Sequence, residues 1–398
     1  MIWLALSVLA ILSWGFLLTL HGGFWRADQR LRPAPDPADW PEVAVIIPAR
    51  DEAETIFQVI ASHQKSDYPG ALSIFLIDDH SSDETAVLAR EGAALGERPV
   101  HIVSPPELEE GWTGKLWAVH HGLRAARETA PDAAYVLMTD ADIAHAPDAL
   151  RRLVARAERD DLALTSLMAT LDTRGFWGAL LIPAFVFFFQ KLYPFPWAND
   201  PNRYLAAAAG GCMLVRRDAL RDEGGVAAIR GELIDDCALA ALLKGEPPKR
   251  RIWLGHSTGE VVSLRDNRSL DSVWNMVART AYTQLNHSLV FLAGSLIGLF
   301  VVYLAGPLAV ILWPLHGYGL AAAAGFIAWA LMARAYRPTS SLYRRIWPEA
   351  FGLPLAAALY MAMTASSAWR WMRGRGGEWK GRVRGGTDGA SAEPQAAE

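Results

Sequence analysis

Three apolar runs in the first half of the chain each stop on a cluster of acids. Val43-Ala44-Val45-Ile46-Ile47 runs into Pro48-Ala49-Arg50-Asp51-Glu52, Leu72–Ile77 into Asp78-Asp79, and Ala134–Met138, after Thr139, into Asp140-Ala141-Asp142. Short apolar runs bounded in this way read as strands. Between them lie segments with helical spacing: Ala53–Lys65, with Ile56, Val59 and Ile60 on one face, then Asp83–Glu91 stopped by Gly92, then Lys115–Arg127. Val100–Val103 and Leu162–Met168 add two strands, with a helix over Pro147–Arg159 before the last. This alternation predicts an α/β domain on a mostly parallel sheet covered on both faces. Ligands of such sheets bind beyond the carboxyl ends of the strands, so the three acid clusters should meet on one rim. Asp140 and Asp142 repel one another there, and a bound cation would compensate. Taken alone, the pair reads equally well as two solvated loop residues before a helix.

The rest of the chain is too apolar for a soluble protein. Of 398 residues 52% are hydrophobic, yet 20% are charged, which fits a soluble domain with a few membrane spans. The net charge of −4 gives no electrostatic case for a nucleic-acid partner. Cys212 and Cys237 stand in no paired zinc or redox spacing and read as buried thiols. Ile2–Leu20 is uncharged and long enough to span. Residues 1–21 are therefore expected to be an uncleaved anchor, followed by a linker over 22–41. Arg26, Arg30 and Arg32 place the next segment on the cytoplasmic side by the positive-inside rule. Residues 288–372 are expected to form a C-terminal membrane region, with spans over Leu289–Leu312, Tyr318–Met332 and Leu353–Trp369 and a cytoplasmic loop carrying Arg334, Arg337, Arg344 and Arg345. Four crossings would put the basic tail outside, against that rule, so one segment should be re-entrant or interfacial. Residues 175–197, dense in Phe and ending on Tyr193-Pro194-Phe195-Pro196-Trp197, suit a helix in the headgroup layer, a core helix being the alternative. The tail over 373–398 reads as basic, then disordered.

No G-x-G-x-x-G follows the first strand, and Gly111-Trp112-Thr113-Gly114-Lys115 lacks the spacing of a phosphate-binding Walker loop. Hydride-transfer and nucleotide-hydrolase readings lose ground accordingly. The ordered set P-A-R-D-E, I-D-D-H-S-S-D-E-T, W-T-G-K-L-W-A and T-D-A-D instead resembles the nucleotide-sugar-dependent glycosyltransferases of family 2, with the GT-A fold, over residues 42–287. That resemblance implies that Pro48, Ala49, Arg50 and Glu52 line a uridine pocket and that Asp78 and Asp79 include the carboxylate bonding the base. It implies that Asp140 and Asp142 hold Mn²⁺ or Mg²⁺ against the diphosphate of a UDP-sugar. Lys115 would sit near nucleotide or acceptor, though a solvated helix start explains it as well. Gly210 and Gly211 would allow close backbone approach. Asp235-Asp236 occupies the family's Glu-Asp position, which makes Asp236 the expected general base, against the plainer reading of an acidic helix N-terminus.

Where the family carries Q-x-x-R-W this chain has Met276-Val277-Ala278-Arg279-Thr280. Arg279 is left either to pair the diphosphate or to serve as a juxtamembrane base. Loss of the Gln and Trp weakens a processive polysaccharide synthase reading. His120, His121 and His287 have no partner at metal spacing and read as structural. Within the family the chain looks most like the bacterial hopene-associated glycosyltransferases of hopanoid gene clusters, with ceramide glucosyltransferase-like enzymes as relatives. The implied activity is metal-dependent, inverting transfer from a UDP-sugar to a lipid acceptor, by a multi-pass protein of the bacterial inner membrane with its catalytic domain on the cytoplasmic side. The alternatives are a polyprenyl-phosphate sugar transferase or polysaccharide synthase, and a non-catalytic nucleotide-binding membrane scaffold.

Overall fold

The computed structural model describes residues 1–246 and 248–373, so the expected tail beyond 373 lies outside the described residues. After α1 (Ile2–Thr19) the chain enters the sheet domain: β1 (Val43–Ala49), α2 (Ile56–Gln64), β2 (Leu72–Asp78), α3 (Thr85–Ala93), β3 (Val100–Val103), α4 (Gly114–Thr129), β4 (Tyr135–Thr139), β5 (Ile143–His145), α5 (Ala149–Asp160) and β6 (Leu162–Met168). The apolar α6 (Gly175–Leu192) and short α7 (Phe195–Ala198) interrupt it. The domain then resumes with β7 (Cys212–Arg216), α8 (Arg217–Asp222), α9 (Asp235–Lys244), β8 (Arg251–His256), β9 (Val261–Ser263) and α10 (Leu270–Ala278).

Seven strands form one sheet in the order β3-β2-β1-β4-β7-β6-β8. β1 lies parallel to β2 and β4, β2 to β3, and β6 to β8, while β7 runs antiparallel between β4 and β6. The sheet is thus mostly parallel, and all five expected strands are present. A two-stranded antiparallel pair, β5 with β9, and the edge strand β8 were not foreseen. Alternate side chains of β1 face opposite layers, as a pleated strand requires. Val43, Val45 and Ile47 join Ile56, Val59 and Ile60 of α2, whereas Ala44 and Ile46 join Leu116 and Val119 of α4 and Leu239 of α9. Ala49 at the end of β1 pairs with Asp78 at the end of β2, and β4 runs alongside in the same direction, so the acid clusters do share one rim.

Residues 289–372 are largely helical. Leu289–Leu312 appears as α11 (Leu289–Leu299), a π-helical turn over Phe300–Ala305, and α12 (Gly306–Ile311). Trp14 of α1 donates its indole N–H to Val302 O in that turn at 2.9 Å. After α13 (Trp313–His316), α14 runs over Gly319–Leu342. It is longer than the span read from sequence and takes Arg334 and Arg337, expected in a loop, into the helix. α15 (Leu353–Met372) closes the bundle.

Among the described residues, five helical stretches are long and apolar enough to cross a membrane: Ile2–Thr19, Gly175–Leu192, Leu289–Ile311, Gly319–Leu342 and Trp347–Met372. A single crossing by α6 would part β6 from β7, which are hydrogen-bonded neighbours in one sheet. The fold therefore excludes it. α6 instead packs as the hub between sheet and bundle, with Phe187 against Trp14, Phe24 and Tyr336, and Phe188 against Tyr303 and Tyr360. Its buried Gln190 donates to Thr339 of α14 at 3.0 Å, and its side-chain oxygen lies 3.1 Å from His256 of β8.

Two buried imidazoles, His63 of α2 and His145 of β5, lie 4.6 Å apart between ring centres. Burial, helped by Arg98, lowers the His63 pKa from 6.5 to about 4. The unfolded chain takes up this proton near pH 6.5 and the folded chain only near pH 4, so the contribution is intact above the first value and is lost as pH falls toward the second. At about 1.4 kcal/mol per pKa unit the loss is on the order of 3 kcal/mol. Melting temperature followed from pH 7 to pH 4 should fall in the wild type, and less steeply in His63→Leu. An equal slope in both proteins would contradict this assignment.

Candidate active site

The rim begins with a loop that cannot hold its own shape. Asp51 adopts φ +51°, a conformation that costs a non-glycine residue energy. The motif after β2 holds it in place. Asp51 N donates to Ser81 Oγ at 3.0 Å, Ser82 N donates to Asp51 Oδ1 at 2.7 Å, Glu52 N to Thr85 Oγ1 at 2.8 Å, and Ala53 N to Asp83 Oδ2 at 3.0 Å. The first two motifs are thus one structure. Pro48 and Glu52 line the large cavity at this rim, while Ala49 is fully buried beneath it. Arg50 turns inward: its Nη1 donates to Asp79 O at 2.6 Å and lies 3.9 Å from Asp79 Oδ2. Asp79 is fully buried, and Asp78 is half-buried with its Oδ1 accepting from Ser81 N at 3.1 Å.

At the end of β4, Thr139 donates to Gly211 O at 2.8 Å, which draws the small-residue loop before β7 under the acids. Asp140 and Asp142 line the same cavity wall as Glu52. Burial first, then the like charges of Asp140 and Glu52, push the Asp142 carboxyl up to about 6. Among the described residues no cluster of three or more His, Cys, Asp or Glu side chains could enclose a metal. The donor set fits a hard divalent ion held by one or two carboxylates, with phosphate and water completing its shell.

Lys115 opens α4, whose first turn is capped by Thr113 Oγ1 accepting from Leu116 N. It is no solvated helix start. Its Nζ lies 2.9 Å from Asp140 Oδ1 and 3.1 Å from Asp235 Oδ2. Burial opposes the charge, but Asp140 and Asp235 outweigh it and raise the pKa, so the ammonium is retained. Asp235 fronts the cavity beside Lys115. Asp236 lies behind it, its Oδ2 accepting from Gly210 N at 3.0 Å and its Oδ1 from Cys237 N at 2.8 Å. Burial and Asp235 push its carboxyl up to about 6, against the pull of Lys115. A Cβ on Gly210 would stand 3.3 Å from Lys115 Nζ and 3.5 Å from Asp236 Oδ2, so the chain is close here, as expected of this glycine.

The rim, Lys115 and Asp235 open into a cavity of about 1330 Å³ that Arg279 also lines. Arg279 feels Arg265 as a like charge and Asp140, Asp235 and Asp142 as opposite ones, so it belongs to the site. His120 and His121 pack against Trp112 and Trp117, and His287 stacks on Trp371 at 3.6 Å. The sequence assigned neither Arg265 nor Arg370 to the site, yet both line the cavity. Neither stands in a motif, and only the fold brings them to the site.

Residues 44–224 match the model of glycosyl transferase family 2. Over this stretch, somewhat under half of the chain, the protein is similar to the family 2 glycosyl transferases. An N-acetylglucosaminyltransferase of Mesorhizobium japonicum is 30% identical over 173 residues, which are 42% of this chain and 38% of that protein. Another from a Rhizobium species is 28% identical over 174 residues, 42% of this chain and 36% of that protein. The match thus spans well under half the length of either relative. The solved mannosyltransferase of Pyrobaculum calidifontis, in complex with GDP-Man and Mn²⁺, superposes with a TM-score of 0.57 at 18% identity, over 90% of this chain and 99% of that one. Its likeness shows the shared fold, helices included.

In this sheet domain, Thr85→Val removes the acceptor of the Glu52 N–H, at a cost of about 1–3 kcal/mol if that group stays dry. Amide exchange over 50–54 should quicken while β1 and β4 keep their protection. Unchanged exchange in that loop would show that Thr85 does not hold it.

Proposed function

We propose that the protein is a metal-dependent, inverting glycosyltransferase that moves a sugar from a UDP-sugar to a lipid acceptor, at the cytoplasmic face of a bacterial inner membrane. One observation carries this reading. The acids of the donor rim, Asp235 with Asp236 directly behind it, and the ends of two apolar helices, Arg174 before α6 and Arg370 in α15, meet at a single cavity. A soluble donor and a lipid acceptor can meet in such a space, and holding them in line supplies much of the rate. The two curated relatives are N-acetylglucosaminyltransferases, which makes UDP-N-acetylglucosamine the first donor to test.

A divalent cation bound by Asp140 and Asp142 would neutralise charge building on the departing diphosphate. The remaining roles belong to the chain. The loop Pro48–Glu52 and the Asp78-Asp79 edge receive the uridine. Asp235 holds Lys115, whose ammonium stands between donor and base sites. Asp236, its carboxyl pushed up to about 6 by burial and Asp235, takes the proton of the acceptor hydroxyl. The acceptor oxygen forms its bond to the anomeric carbon as the carbon–phosphate-oxygen bond breaks, so configuration inverts and UDP leaves with the bonding pair. The hopanoid acceptor rests on overall likeness of motif order, and no residue here selects it.

The rate should rise with pH through about 6, where Asp236 ionises, because only the carboxylate accepts a proton. UDP release from UDP-N-acetylglucosamine with membrane lipid extract as acceptor measures it. Asp236→Asn should lower turnover by about 10²-fold or more while UDP binding is kept. Full activity in Asp236→Asn with loss in Asp235→Asn would transfer the base to Asp235.

A further inference from the structure

Ala206-Ala207-Ala208-Ala209-Gly210-Gly211 leads into β7, and no side chain in this run carries a polar group that could tie down its own backbone. Yet the run supplies a donor to the site, the Gly210 N–H on Asp236 Oδ2 at 3.0 Å. The other oxygen of that carboxylate accepts from Cys237 N, the next residue of the same helix start, and depends on nothing else. The Gly210 bond is different. It joins residues 26 apart in sequence, and it is only as well placed as the loop that carries it.

Two hydroxyl groups place that loop. Residues 209–212 form a turn in which Cys212 N donates to Ala209 O at 3.2 Å. Ser166 of β6, fully buried, spans both ends of the turn: its Oγ accepts from Ala209 N at 2.9 Å and donates to Cys212 O at 2.9 Å. Thr139 of β4 binds Gly211 O from the other side, and His145 Nε2 lies 3.0 Å from the Thr139 hydroxyl. Since β7 lies between β4 and β6, the turn is gripped from both neighbouring strands. Thr139 directly precedes Asp140, so a change there also disturbs the rim. Ser166 does not line the cavity. It reaches the chemistry through the turn alone, and its loss would leave the buried Ala209 N–H without this acceptor.

An N–H that donates to a carboxylate favours the charged form. Burial and Asp235 push the Asp236 carboxyl up, while Lys115 of α4, Cys237 N and Gly210 N pull it down. The Cys237 thiol and the Tyr193 phenol also feel Asp236, but burial pushes both up and they stay neutral. In this balance Gly210 N is the group that hangs on a loop rather than on a side chain or on the base's own helix. We propose that Ser166 is a positioning residue for the transfer: by fixing the 209–212 turn it delivers the Gly210 N–H to Asp236 and so orients the carboxylate that receives the acceptor proton. This rests on the reading of Asp236 as the base.

Two readouts on the full chain test it. One is the pH profile of kcat for UDP release from UDP-N-acetylglucosamine with membrane lipid extract. The other is an infrared titration of the Asp236 carboxyl, taken as the difference from Asp236→Asn, which needs no turnover. In Ser166→Ala the acid limb of the profile and the infrared midpoint should both move to higher pH by about one unit or more. KM for the donor and UDP–Mn²⁺ binding should hold, the latter also showing that the variant is folded. Ser166→Cys, a weaker donor and acceptor of similar size, should move both in the same direction by less, and it decides the matter if Ser166→Ala does not fold. Lower activity with both midpoints unmoved would make Ser166 a merely structural residue and overturn the proposal. Full activity in Asp236→Asn would instead sink the base reading, and the infrared midpoint would still report whether Ser166 governs that carboxyl.

Discussion

Lys115 is the charge on which the site turns. Its ammonium joins Asp140, at the end of β4, to Asp235, at the start of α9, two carboxylates 95 residues apart in sequence. Without that cation Asp140, Asp142, Asp235 and Asp236 would crowd like charge around one end of the sheet. With it, Asp140 and Asp142 at the rim and the Asp235-Asp236 pair form one connected cluster. Other features serve the same juncture. Thr139 draws the Gly210-Gly211 loop close, Gly210 leaves room for the lysine, and Thr113 caps the helix that presents it.

The second constraint is mechanical. α6 interrupts the sheet domain between β6 and β7, so an apolar helix is threaded through a fold whose strands pair on either side of it. The helix must stay on one side of any membrane, and it does so as a hub. Phe187 and Phe188 pack into the bundle, while Gln190 links His256 of the sheet to Thr339 of α14. The cavity at the head of this helix is therefore fixed relative to both the rim and the apolar helices. That is the geometry the proposed transfer from a soluble donor to a lipid would need.

Much of this was legible in the sequence. The five strands and the meeting of their acid ends followed from apolar runs and the parallel-sheet rule, because a fully buried strand has only one kind of sequence. β5, β8 and β9 escaped notice for a physical reason: β5 and β9 have three residues each and gain their hydrogen bonds only from one another, more than a hundred residues apart. α14 outran its apolar pattern because Arg334 and Arg337 are good helix formers and need not end a helix. Lys115 was ambiguous in sequence, since a helix-start lysine has no preferred partner until the fold supplies one. Arg265 and Arg370 stand in no motif, and only the packing brings them to the cavity.

The central claim is that Asp140 and Asp142 form a metal site that carries the donor diphosphate. Calorimetric titration of UDP into the full chain, with and without Mn²⁺, tests it most directly when repeated on Asp142→Ala. The account predicts tight binding that requires Mn²⁺ and is lost in the variant. Binding of equal strength without Mn²⁺, unchanged by Asp142→Ala, would contradict it.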